Sequence, residues 1–205
     1  MSERILVFGG SFDPPHVGHL IIARDVAERA DFDRVLLMPS ASPPHKAGTV
    51  ATGDQRVAML EAAIEGDRRF EVCPLELDRQ GPSYTFDSIM QLRQEYGWQT
   101  RLCWLIGADM LRSLPSWHRA AEVIDAATLL TARRGGQEDF QAIFDELSSE
   151  FSPAQLEKLQ KGAIPTRRVE LSSSEIRQRL QEGLPIRFMV PQGVERYIGA
   201  HNLYR

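Results

Sequence analysis

The chain is poor in the features that would commit it to a special environment. It has two cysteines in 205 residues, Cys73 and Cys103. They are far apart and lack Cys-x-x-Cys spacing, so they make neither a disulfide framework nor a zinc site and read as buried thiols in a reducing compartment. No apolar run approaches the roughly 20 residues needed to span a bilayer. The first strand begins almost at once, which leaves no room for a signal peptide. Excess basic charge is also missing. A net charge of −4 argues against a general nucleic-acid binder, though not against a local pocket for phosphates. With 42% hydrophobic and 25% charged residues, the composition is that of an ordinary globular protein with ample core. The expectation is a cytoplasmic protein with no membrane and no nucleic-acid partner.

What is present concentrates in the first twenty residues. Ile5–Phe8 is a short apolar run that reads as a strand buried on both faces, bounded by Gly9-Gly10. From Gly18 the apolar residues Leu20, Ile21, Ala23, Val26 and Ala27 recur with helical spacing. The glycines allow a sharp turn and close approach to a ligand. Pro14-Pro15 stiffens the loop, and His16 and His19 sit three apart as the helix begins. Two imidazoles and a row of unfilled backbone N–H groups at a helix N-terminus form an anion site. Three readings compete: a plain turn, a metal pair, and donors to a polyphosphate. A third metal ligand nearby is lacking, so the polyphosphate reading leads and no dedicated metal site is expected.

Farther along, Arg34–Pro39 reads as a second buried strand, and strand–helix–strand over roughly 35 residues is the parallel crossover unit of doubly wound folds. The Pro- and Ser-rich loop 40–48 carries His45 and Lys46, which read either as solvated polar groups or as cations for a triphosphate. A helix is expected over 51–66, capped by Thr52 or Asp54, with Arg56 facing either phosphate or a surface carboxylate. A short strand follows at 70–74. Another helix begins near Tyr84 with Ser83 or Thr85 as its cap. The run Leu102–Ile106 is a buried strand leading into Gly107 and Asp109. Asp109 is either an acceptor for ribose hydroxyls or a helix cap. Trp117 beside His118 is either a stacking ring or a core anchor. Strands are expected at 126–131 and 167–171, two surface helices over 137–161 split at Ser152-Pro153, a helix opened by Ser172, Ser173 and Ser174 with Arg177 one turn along, and a closing amphipathic helix from Pro191.

The residues Gly9-Gly10-Ser11-Phe12-Asp13-Pro14-Pro15-His16-Val17-Gly18-His19 closely resemble the signature of the nucleotidyltransferase superfamily with the His-x-Gly-His motif. More narrowly, they resemble the bacterial nicotinate mononucleotide adenylyltransferases of NAD biosynthesis. Pro-Pro-His-Lys at 43–46, Ser-Tyr-Thr-x-Asp at 83–87, Gly-Ala-Asp then Leu-Pro-x-Trp at 107–117, and Ser-Ser-Ser-x-Ile-Arg at 172–177 extend the likeness along the chain. Departures are Ser11, Ser88 and Ser174 where the family has Thr, and Arg134 where it has Pro.

The resemblance implies an α/β, Rossmann-like doubly wound parallel sheet with helices on both faces. It implies one nucleotidyltransferase domain over 1–205, with a helical C-terminal portion from about residue 172. AMP would pass from ATP, accompanied by Mg²⁺, to nicotinate mononucleotide, releasing pyrophosphate by in-line attack with no covalent intermediate. By the same resemblance, His16, His19, Lys46 and Arg177 are catalytic. ATP contacts fall on Gly9, Gly10, Ser11, Phe12, His16, His19, Gly107, Asp109, Arg133, Ser173, Ser174 and Arg177. The mononucleotide falls on Ser11, His45, Lys46, Tyr84, Thr85, Trp117 and His118. Oligomeric state stays open between monomer and homo-oligomer, since the surface helices offer no clear seam.

Overall fold

A computed structural model describes residues 3–41, 49–134 and 140–205. Its sheet has six strands: β1 (Arg4–Gly10), β2 (Arg34–Pro39), β3 (Phe70–Val72), β4 (Arg101–Gly107), β5 (Thr128–Arg134) and β6 (Ala163–Thr166). They run in the order β3-β2-β1-β4-β5-β6. Pairing is parallel for β1 on β4, β4 on β5 and β5 on β6, with Phe8 opposite Leu105 and Gly107 opposite Ala132. This is the strand order of dinucleotide-binding α/β folds, and it reverses direction between β1 and β4. The helices are α1 (Val17–Arg29), α2 (Gly53–Ile64), α3 (Thr85–Tyr96), α4 (Ala108–Ser113), α5 (Ala120–Ala126), α6 (Phe140–Leu147), α7 (Pro153–Lys161), α8 (Ser173–Gln181) and α9 (Gln192–Ala200). The expected doubly wound α/β fold is the fold found. None of the described helices is long and apolar enough to cross a membrane.

Strands form where the chain is apolar without alternation. Ile5, Leu6 and Val7 are fully buried, and Leu102–Ile106 are nearly so, as a parallel strand covered on both faces requires. Helix starts follow local chemistry. Thr52 and Ser152 each close a capping box, with Gln55 and Gln155. Ser172 caps α8 by accepting from the Glu175 N–H.

Four expectations need correction. The last strand lies at Ala163–Thr166 rather than 167–171. It pairs only with β5, and at an edge Pro165 is tolerated because its missing N–H can face away from the ladder. Helix α3 is capped by Tyr84 and not by Ser83 or Thr85, and no side chain caps it. The Ser83 hydroxyl donates instead to the Glu76 carbonyl. Gly107 occupies the cap position of α4, so Asp109 sits inside the first turn. Finally, Cys103 is buried, but Cys73 is only half-buried.

The chain divides into two compact units: 1–8 with 23–35 and 84–168, and 9–22 with 36–83 and 169–205. In the first, β6 follows directly from α7 through Gly162. A Cβ there would lie 2.0 Å from the Leu129 carbonyl oxygen, so only glycine fits. In the second, α2, α8 and α9 enclose an apolar cluster of Met59, Ile176, Val194, Ile198 and Tyr204. Gly193 lets α9 approach α2, since a Cβ would sit 2.6 Å from the Ala62 carbonyl oxygen.

Gly162→Ala is expected to destabilise the fold by about 2 kcal/mol or more through overpacking against rigid backbone. Gly199→Ala, in open space on α9, should instead stabilise by about 0.5–1 kcal/mol by removing glycine's extra unfolded-state freedom. Urea denaturation of both variants beside the wild type checks the pair.

Candidate active site

The histidine loop belongs to the second unit. Phe12 turns in the left-handed region (φ 47°) and is fully buried. Its ring fills the space beside Gly10, where a Cβ would meet ring atoms at 3.2 Å. His16 is 5% exposed and stacks on His19 with ring centroids 3.6 Å apart and planes 21° apart. The ring of His19 meets Phe12 edge-on at 4.9 Å. The His16 N–H donates to His19 Nδ1 at 3.2 Å. With Nδ1 accepting, the neutral His19 ring carries its proton on Nε2, which makes that atom a donor. Gly18 is required by proximity, because a Cβ would lie 2.9 Å from His16 Nδ1.

The row of unfilled amides expected at this helix start is partly filled. The Val17 N–H donates to the Met189 carbonyl and the His19 N–H to the His16 carbonyl, both at 3.0 Å. The start of α1 therefore has fewer open amides than a bare helix N-terminus.

The carbonyl side of the loop is tied down from three directions. Arg56 Nη1 donates to the Ser11 carbonyl at 2.9 Å. Arg177 Nη1 donates to the Asp13 carbonyl at 2.8 Å, and the Ser173 hydroxyl to the Pro14 carbonyl at 2.8 Å. Arg177 Nη2 also reaches the Ser174 hydroxyl at 3.3 Å. Arg56 thus faces neither phosphate nor a surface carboxylate; it is 1% exposed. Burial lowers its pKa, and the nearby Asp13 carboxylate works the other way.

Asp13, 3% exposed, is a junction. Its carboxylate accepts from the Val50 N–H at 2.8 Å, the Ala51 N–H at 3.0 Å and the Tyr204 hydroxyl at 2.8 Å. Arg177 Nη1 lies 4.0 Å from it. Nothing in the linear sequence links Asp13 to a tyrosine 191 residues away. The closing segment reads there as packing alone.

The first unit carries the other candidates. Gly107 and Asp109 follow β4, and a Cβ on Gly107 would lie 2.6 Å from Asp109 Oδ1, so glycine lets the carboxylate fold back. Asp109 is exposed. Trp117 is half-buried at the end of the 3₁₀ turn Leu114–Ser116, which rules out a core anchor. Tyr84 and His118 lie together, ring centroids 4.5 Å apart and planes tilted by 35°. Thr85 is the first residue of α3, whose N-terminus no side chain caps. Arg133 and Arg134 end β5, not a loop, and the Arg133 side chain lies outside the described residues, as do His45 and Lys46. Among the described residues, no group of three or more His, Cys, Asp or Glu could hold a metal ion.

Comparison with known proteins gives these groups a context. The cytidylyltransferase-like family model matches residues 7–179. A probable nicotinate-nucleotide adenylyltransferase of Thermomicrobium roseum is 40% identical over 205 residues, covering 99% of this chain and 92% of the relative. One from Geobacillus thermodenitrificans is 38% identical over 202 residues, covering 98% and 86%. The chain belongs to the nicotinate-nucleotide adenylyltransferase family. The nicotinic acid mononucleotide adenylyltransferase of Plasmodium falciparum, solved with APC, has the same fold at 16% identity, with a TM-score of 0.74 over 98% of this chain and 97% of that one.

In this member of the adenylyltransferase family, Tyr204 gives a pH signature. Burial, then the hydrogen bond and charge of Asp13, push its hydroxyl above the ordinary tyrosine value near 10. A raised pKa of a group that is neutral in the fold adds stability below about pH 10, which is lost as pH rises and the unfolded tyrosine ionises. Denaturation midpoints between pH 8 and 11 are therefore expected to fall more steeply for the wild type than for Tyr204→Phe. Parallel slopes would contradict it.

Proposed function

We propose that this chain transfers AMP from ATP to nicotinate mononucleotide, giving nicotinate adenine dinucleotide and pyrophosphate. The observation that carries the reading is the His16–His19 pair, with one histidine tautomer set by a backbone donor at a loop held by two arginines. An acceptor phosphate is already anionic near pH 7, so attack on the α-phosphate needs no general base and no covalent intermediate. Catalysis then rests on placing two anions in line and stabilising the charge that develops. His19 Nε2–H is the donor to the α-phosphate region, and His16 orients the phosphates. Lys46 and His45 add cationic character from the Pro- and Ser-rich stretch 40–48, and Arg177 adds it from α8. Gly9, Gly10, Ser11, Phe12, Ser173 and Ser174 line the ATP phosphates, while Gly107, Asp109 and Arg133 take the ribose and adenine side.

For the mononucleotide, the uncapped N-terminus of α3 at Thr85 suits a pyridine carboxylate, and the half-buried Tyr84 with the exposed His118 suits the heterocycle. Tyr84, Trp117 and His118 are assigned to that ring, and Ser11 to the mononucleotide phosphate. Mg²⁺ enters as MgATP, carried by phosphate and water oxygens. We assign all of residues 1–205 to one nucleotidyltransferase domain, acting in the cytoplasm without nucleic-acid or membrane partners. The presence of both histidines, Lys46 and Arg177 together argues for an enzyme and not a nucleotide sensor, which would need no donors for a transition state.

Pyrophosphate release with MgATP should be strong with nicotinate mononucleotide and weak with its amide. Equal turnover with the two would remove the Thr85 assignment, and none with either would remove the reaction. His19→Ala is expected to lower kcat by about 10²-fold or more, the scale of one lost oxyanion donor. A rate near wild type would exclude that role.

A further inference from the structure

The histidine loop is held by hydrogen bonds within the protein, and several of them meet at Asp13. Its carboxylate gathers two successive amides, Val50 and Ala51, and the Tyr204 hydroxyl, while its own carbonyl takes Arg177. Both ends of the junction stand on unusual backbone. Phe12, immediately before Asp13, has φ 47°, and Tyr204 has φ 64°, in the left-handed region that non-glycine residues avoid. Such conformations persist where the surroundings over-determine them, and they cluster at functional sites. Between Asp13 and His16 lie only Pro14 and Pro15, both buried. Two fixed φ angles leave little play, so the placement of Asp13 sets that of the His16 N–H. That N–H donates to His19 Nδ1 and sets which nitrogen of His19 carries the proton.

We infer that Asp13, held by Tyr204, is a positioning residue for adenylyl transfer: it fixes the His16 amide and thereby presents His19 Nε2 as a donor. The inference rests on the adenylyl-transfer reading but concerns the molecule's own geometry. The Tyr204 hydroxyl reaches the loop through the carboxylate, beside the contacts that Ser173, Arg177 and Met189 make with the backbone on either side of His16. Arg56, on the Ser11 carbonyl, braces the other side of Phe12. Asp13→Asn keeps the size but turns one acceptor into a donor facing the Val50 or the Ala51 N–H; the Tyr204 hydroxyl can turn to accept, a backbone N–H cannot.

The test compares wild type, Asp13→Asn, Tyr204→Phe and the double variant in pyrophosphate release with MgATP and nicotinate mononucleotide. Long-range ¹H–¹⁵N NMR of the His19 ring reads the tautomer alongside. Asp13→Asn is expected to lower kcat by about 10²-fold, the scale of a small misplacement of a reacting group. KM for ATP should move much less, and His19 should show mixed tautomers. Tyr204→Phe should do the same more weakly. The double variant should be no worse than Asp13→Asn alone, because the two residues act as one unit. Wild-type kcat with the Nε2–H tautomer intact in Asp13→Asn would overturn the inference, as would losses that simply multiply. Should Asp13→Asn not fold, Tyr204→Phe alone decides: a lowered kcat with mixed tautomers supports the role, and wild-type values refute it. Should the wild type release no pyrophosphate, the reaction assignment fails, and the tautomers of the folded proteins still decide the positioning role.

Discussion

A carboxylate with 3% exposure survives in a fold only if every oxygen is answered, and Asp13 is answered by groups drawn from distant parts of the sequence. Two amides before α2, a hydroxyl near the end of the chain and the guanidinium of α8 converge on one residue of the loop after β1. The apolar cluster of α2, α8 and α9 keeps those groups in place, and Gly193 lets α9 come near enough to α2 for the cluster to close. Remove the carboxylate, and the two amides before α2 and the Tyr204 hydroxyl would lose their acceptor together. The loop's own amides and the histidine pair inherit whatever order this junction provides.

The fold was legible wherever one physical rule dominated. Apolar runs without alternation marked β1, β2, β4 and β5 as strands covered on both faces, and Thr52 or Asp54, and Ser152 before its proline, marked helix starts, which the capping boxes of Thr52 and Ser152 bear out. It was least legible where two rules met. Arg167–Leu171 has a β-branched residue between charges and reads as a strand, yet the pairing partner of β5 is Ala163–Thr166 despite its proline. What decides is the close approach at Gly162, where the chain leaves α7 against the Leu129 carbonyl, and no local pattern announces that. Ser83 looks like a helix cap for the same local reason, but the Glu76 carbonyl takes its hydroxyl and leaves the start of α3 uncapped.

Site residues divided along a similar line. Those named by a contiguous motif, the glycines and the two histidines, were readable because the motif and its chemistry occupy one loop. Arg56 was not. From sequence it is one charge on an amphipathic helix, where most arginines face water. Its burial against the Ser11 carbonyl depends on the loop being folded first. Trp117 shows the converse: a large aromatic that general tendencies would bury is left half-open beside exposed His118, because the 3₁₀ turn at Leu114–Ser116 ends there and Leu114 takes the core position instead.

The partly filled amides of α1 change how the proposed reaction should be understood. A helix N-terminus with all its N–H groups open binds phosphate with fixed dipoles, and equally well before and during reaction. Here the Val17 and His19 amides are already bonded to carbonyls. The dipole remains, but directed donation falls to imidazole and guanidinium groups. Side-chain donors can be aimed at the geometry of the transition state, which uniform backbone binding cannot discriminate. The same choice makes the site sensitive to orientation, since a ring rotated or in the other tautomer presents a lone pair to the phosphate instead of a proton. In the proposed reaction, the carbonyls held by Arg56, Arg177 and Ser173 and the stacked ring of His16 would limit that rotation.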